Sequence, residues 1–217
     1  MQLSEYECTL FVQEKLILRR SKMKKLFALI LATLMVMSLA ACGGNTDTDG
    51  TTAPAVAESA WASPDEVLNA VFDAYAEENK FFAMGGDYTN MVDGKAGAVD
   101  VTKAEDVDAL FHVPADALAN VEAAASLMHA MNQNTFTAVA YQLKDGTDAT
   151  AFANTLKDNF ATVQWMCGFP EKVLAVSVDS EYVIVAFGAT DVIDTFKTTT
   201  LATIDTASVI YDEALAI

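Results

Sequence analysis

Residues 173–187, VLAVSVDSEYVIVAF, decide the fold class. Two short runs, Val173–Val178 and Tyr182–Phe187, are rich in β-branched and aromatic residues, and Asp179-Ser180-Glu181 separates them. This is the composition of a strand, a polar turn and a returning strand. Upstream, Gly146-Thr147-Asp148 opens a helix that buries Phe152, Leu156, Phe160 and Val163, at helical spacing. Gly168 and Pro170 close the connection to the hairpin. Downstream, Gly188-Ala189-Thr190-Asp191 opens another helix with Ile193 and Phe196 inward, and Ser208–Tyr211 reads as a last short strand.

Further back, Thr135–Leu143 is a clear strand. The segment 121–131 is ambiguous: Val121, Ala123, Ala125, Leu127, His129 and Met131 alternate as in a strand, while the alanine content and the spacing of Leu118, Val121, Leu127, Met128 and Met131 suit a helix. Strand is the better choice, because Asn132-Gln133-Asn134 reads as a hairpin turn into the next strand. Strand–strand–helix then occurs twice in succession, which suggests an internal duplication. Ser63-Pro64-Asp65-Glu66 signals a helix start with a capping box, and Val67, Leu68, Val71, Phe72 and Tyr75 give a helix near 64–78 its apolar stripe. Residues 85–100, rich in Gly and Asp, read as loop, with Gly85-Gly86-Asp87 a turn and nothing more. A second helix over 103–112 is capped by Thr102 and buried through Val107, Leu110 and Phe111. The expected class is α+β: an antiparallel sheet with helices on one face, preceded by an N-terminal helix.

The N-terminal fifth has a different logic. Residues 1–22 are mixed in charge and read as an over-extended start, with Met23 the more natural one. Met23-Lys24-Lys25 then leads an apolar run from Leu26 that ends in Ser38-Leu39-Ala40-Ala41-Cys42. The stretch 26–41 is shorter than the roughly 20 residues a membrane-crossing helix needs, and it ends in small residues. Residues 23–41 therefore read as a signal peptide. Leu39-Ala40-Ala41-Cys42 resembles the lipobox of bacterial lipoproteins, which implies a diacylglycerol on the thiol of Cys42 and cleavage just before it. Residues 42–60 read as the lipidated cysteine and a flexible tether, and 61–217 as a single domain. Within the tether, Asp47, Asp49 and Glu58 have calcium-loop spacing, but Thr52 stands where such a loop needs Gly.

Charge narrows the function classes. The chain carries −17 overall; removing the six bases and three acids of residues 1–41 leaves seven lysines and 27 acids, a charge of −20. A surface of that sign repels phosphates, which excludes nucleic acid as a partner and argues against a polybasic attachment to anionic lipids. Three cysteines, Cys8, Cys42 and Cys167, leave Cys167 alone once the signal is removed and Cys42 is acylated, so no disulfide framework is expected.

Catalytic grammar is sparse. His112 and His129 form neither HExxH nor HxxxH, so no metal or other cofactor is expected; no GxSxG, Walker loop or CxxC occurs. His112 reads as a helix-end residue, where the dipole favours a cation. The stretch Trp165-Met166-Cys167-Gly168-Phe169-Pro170 concentrates aromatics and a thiol, so Trp165, Cys167 and Phe169 are the candidate binding residues. The plainer reading is a hydrophobic plug between helix and sheet, with Cys167 as a small apolar residue inside it.

From about Glu105 to Leu215 the chain resembles an uncharacterised family of small surface lipoproteins from Gram-positive, Clostridia-like bacteria. The carriers are Val113-Pro114-Ala115-Asp116, the strand ending in Lys144-Asp145-Gly146, and the strand–strand–helix order after Pro170. The resemblance implies a lipid-anchored protein on the outer face of the cell membrane and no particular activity. The expected function is a non-enzymatic binding module for a protein, a peptide or an envelope component. Two alternatives stay open: an envelope enzyme using Cys167 or a carboxylate pair, and a solute-binding accessory to a transporter.

Overall fold

The computed structural model describes residues 60–215. Cys42, the signal peptide, residues 42–59 of the tether and the calcium-like spacing lie outside the described residues. The chain runs α1 (Pro64–Asp73), a 3-10 turn (Glu77–Asn79), β1 (Ala83–Gly85), β2 (Val92–Asp93), β3 (Gly97–Val99), α2 (Ala104–Phe111), α3 (Ala115–Leu118), β4 (Val121–His129), β5 (Phe136–Leu143), α4 (Ala149–Phe160), β6 (Lys172–Val178), β7 (Tyr182–Gly188), α5 (Thr190–Thr203) and β8 (Ser208–Ala214). The eight strands form one sheet in the order β2-β1-β4-β5-β7-β6-β8, with β3 also paired to β4, and every pairing is antiparallel. The α+β class and the antiparallel sheet are as the sequence predicts, and 121–129 is strand. Among the described residues no helix is long and apolar enough to cross a membrane.

One expectation is corrected: helices cover both faces of the sheet. Strand β7 is buried at all seven positions, so each face must be sealed. Val183, Val185 and Phe187 join one core with α2, α3 and α4, through Val107, Phe111, Leu118, Phe152, Leu156 and Phe160. Tyr182, Ile184 and Ala186 join the other with α1 and α5, through Val67, Leu68, Val71, Ile193 and Phe196. Connection handedness supplies the reason. The β5–α4–β6 and β7–α5–β8 crossovers each skip one strand and move the same way across the sheet, but β5 and β7 run in opposite directions. Two crossovers of the usual right hand must then pass over opposite faces. The same argument weighs against duplication. Antiparallel neighbours exchange through a two-fold axis perpendicular to the sheet, which would leave both helices on one face.

Local corrections concern caps and the loop 85–100. Helix α1 stops at Asp73 rather than 78, and Glu66 accepts from the backbone N–H of Ala62 at 2.9 Å instead of closing a box onto Ser63. Thr102 does not cap α2: its N–H and hydroxyl donate to Asp100 at 3.1 and 2.6 Å. Asp148 does cap α4, accepting from the N–H groups of Thr150 and Ala151. Helix α4 ends at Phe160, so Val163 lies past it and is only half-buried.

Residues 85–100 hold the end of β1, all of β2 and β3, and a buried carboxylate. Asp87 accepts from the N–H groups of Thr89, Asn90 and Asp100 at 2.8, 2.9 and 2.7 Å, and from the Thr89 hydroxyl. Burial pushes its pKa up, but these donors outweigh it and hold the carboxyl well below the usual range. Gly86, at φ +90°, has no room for a Cβ, which would sit 2.0 Å from the Asn90 carbonyl oxygen.

The two ends of the sheet differ. At the start of β7, the Tyr182 hydroxyl donates to the Trp61 carbonyl at 3.1 Å, so the described chain joins the sheet there. Helix α1 then runs toward the other end, where Phe72 packs on Phe81 and Phe81 on Phe136, at ring separations of 5.1 Å each. That far end, about 20 Å away along seven residues of strand, carries the β4–β5 turn, the start of β6 and Gly188.

Candidate functional site

The far end is built on a close backbone crossing. Ala189 N–H donates to the Thr135 carbonyl and Glu171 N–H to the Gly188 carbonyl, both at 2.9 Å. A Cβ on Gly188 would stand 2.3 Å from the Thr135 oxygen, so only glycine lets β7 pass beneath the β4–β5 turn. Above this crossing, two asparagines of the turn hold the loop after α4. Asn134 Nδ2 donates to the carbonyls of Met166 and Gly168 at 2.8 and 3.0 Å, and Asn132 Nδ2 to that of Cys167 at 3.3 Å. Three successive carbonyls are thereby satisfied by side chains 32 to 35 residues away. The loop takes the left-handed region at Cys167 (φ +62°), followed by Gly168 at +121°.

This clamp turns the loop outward. Trp165 is buried in the α2–α3–α4 core, in contact with Phe187 and His112. Cys167 is exposed, and so are Met166 (79%) and Phe169 (64%). The plug reading therefore holds for Trp165 and fails for Cys167 and Phe169. Carbonyl satisfaction by the asparagines, not apolar burial, fixes their backbone. Met131 in the neighbouring turn is 79% exposed, and Phe82, 66% exposed, is tied to that turn by the Ala130 N–H donating to its carbonyl at 2.8 Å. Single exposed apolar residues need no explanation, but Met166 and Phe169 on the loop, Met131 on the turn bonded to it and Phe82 on the segment bonded to that turn are linked by one chain of hydrogen bonds and are read together as a patch.

Beside Met166 lies a cleft of about 320 Å³, walled by His112, Gln133, Asn134, Gln164, Trp165 and Cys167. His112 caps α2 in a left-handed conformation (φ +55°) with its ring edge-on to Trp165 at 4.8 Å. Burial lowers its pKa against the opposing pull of Asp108, so at neutral pH it is an uncharged wall and not the dipole-stabilised cation expected from its place in sequence. No hydrogen bond joins it to Cys167 among the described residues, and no Lys or Arg lines the cleft. His129 ends β4 elsewhere, stacked on Phe81 at 5.4 Å, its Nδ1 accepting from the Met131 N–H. The two histidines thus serve different cores.

Two carboxylates share lysines away from the cleft. Lys172 Nζ lies 2.5 Å from Asp194 and 2.9 Å from Asp212, and Lys197 Nζ 2.6 Å from Asp212. The hydrogen bond from Lys172 keeps Asp194 low; for Asp212 burial pulls upward, but the two lysines outweigh it. Both acids stay ionised at neutral pH, so neither is the protonated partner a glycosidase-like pair requires. The cluster ties α5 and β8 to β6. Among the described residues, no group of three His, Cys, Asp or Glu side chains converges as a metal-ligand set.

Compared with known proteins, the chain matches no family model, no curated protein and no solved structure.

Proposed function

We propose that the protein is a lipid-anchored module of the outer face of the cell membrane, held by a lipid on Cys42, that binds a protein or peptide partner through the far end of its sheet. The lipobox-like sequence and the resemblance to small Gram-positive lipoproteins support the anchor. One observation carries the binding reading: Met166 and Phe169 are exposed on a loop clamped by asparagine side chains, with exposed Met131 and Phe82 on the segments bonded next to it. Left to itself a loop with Met166 and Phe169 would fold them inward, and the clamp opposes that. The described chain enters the domain by way of Trp61, at the end of the sheet opposite the patch.

For the solute-binding alternative this cleft, at about 320 Å³, is at the bottom of the range for small-molecule sites. The thiol-enzyme alternative draws on one observation, that His112 and Cys167 share a wall of that cleft. It lacks a cation to stabilise a thiolate. Alkylation of the folded protein at neutral pH, much faster than that of a free thiol and slowed in His112→Ala, would favour it.

Two measurements test the main reading. Mass spectrometry of the cellular protein is expected to find an acylated N-terminal Cys42. A photo-crosslinking residue at position 166 is expected to capture a partner on intact cells, while one at Leu201, exposed at the opposite end of α5, captures none. A cytosolic polypeptide retaining its N-terminus, or equal crosslinking at both positions, would overturn it.

A further inference from the structure

We infer that the partner segment is cationic and amphipathic, an apolar stripe flanked by Lys or Arg; this rests on the binding reading above and specifies its ligand. Beside Phe169 the rim of the patch is acidic. Glu171, two residues from Phe169, is exposed, and its carboxylate accepts from the Thr190 N–H at 3.0 Å, which keeps it ionised and fixed in direction. Asp191 is the next residue along and is also exposed. On the other flank, Glu77 and Glu78 stand just before Phe81 and Phe82 and are both exposed.

Two of the lysines near the patch are already engaged. Lys80 is bound to Glu77 at 2.8 Å, and Lys172 is shared between Asp194 and Asp212. A partner bringing its own positive charge would therefore meet Glu171, Asp191 and Glu78 without displacing an internal lysine. The overall charge would speed its approach.

The apolar centre suits such a segment. Two of its four members are methionines, whose unbranched thioethers adapt to varied shapes. The cleft beside Met166 has uncharged walls, including a neutral His112, and accepts one bulky apolar side chain as an anchor. An acidic segment would be repelled by the rim, and an uncharged one would leave the carboxylates without partners.

The test uses the full protein in phosphatidylcholine vesicles, with binding to protein-free vesicles subtracted. Three fluorescent peptides share one leucine stripe and carry Lys, Gln or Glu on the polar face. The Lys peptide is expected to bind at least about ten-fold more tightly than the Gln peptide, the gap closing at high salt, and the Glu peptide least. Glu171→Gln is expected to weaken the Lys peptide about three-fold, and Met166→Ser with Phe169→Ser about ten-fold or more. All three substituted residues are exposed, so folding is spared. Equal binding of Lys and Gln peptides, or no binding of the Lys peptide, overturns the inference while leaving the crosslinking result at position 166 to judge the binding surface. Tight Lys-peptide binding unchanged in the double serine variant would instead remove the patch as the site, and the binding reading with it.

Discussion

Two irregular segments of this molecule are held by polar side chains, and they are held in opposite senses. In residues 86–100 a single buried carboxylate, Asp87, gathers donors from its own neighbourhood and folds the backbone inward around itself. In residues 165–170 neutral amides from a distant turn, Asn132 and Asn134, take up backbone carbonyls and leave the side chains between them in solvent. A buried charge suits a loop whose task is to complete the fold, because removing it strands several buried donors. Exposed amides suit a loop whose task is to present a surface, because they fix shape at small energetic cost.

That contrast sets an order of expected effects. Asp87→Ala should be the most damaging, at about 3 kcal/mol, since it orphans charge-assisted donors beneath the β1–β3 segment; urea unfolding measures it, and a loss under about 1 kcal/mol would mean water replaces the carboxylate freely. The folded carboxyl lies below its unfolded value, so its contribution is present above about pH 4 and is lost as pH falls further. Asp87→Asn should flatten the acid limb of the stability profile relative to the parent protein.

Asn134→Ala should cost about 1 kcal/mol, two partly solvated hydrogen bonds, yet accelerate amide exchange across 165–169 far more than across 86–100. Uniform exchange in both segments would erase the distinction between them. Met166→Ser and Phe169→Ser should each shift stability by no more than about 0.5 kcal/mol. A large loss on thermal unfolding would show that these side chains hold the fold together rather than meet a partner.

Much of this was legible beforehand. From Val121 onward the strand and helix order follows from alternation, helical spacing and turn residues, and Asp148 is found as a cap because its partners are two and three residues away. The strands β1, β2 and β3 were not, because pieces of two or three residues with glycine at the joins carry no period. The two-sided sheet was readable in principle: VIVAF has no polar alternation, and such a run is buried on both faces. At the site, Trp165, Cys167 and Phe169 stand out in the sequence as a group, but the exposure of the last two does not. The residues responsible, Asn132 and Asn134, had been read as turn formers alone, and nothing local in their sequence announces partners more than 30 residues away.

The bond between Tyr182 and the Trp61 carbonyl has a mechanical consequence. If the chain is tethered beside one end of β7 and grips something at the other, tension runs parallel to the strands. Interstrand hydrogen bonds are then strained side by side rather than unzipped in turn, so the grip would be expected to let go before the sheet does.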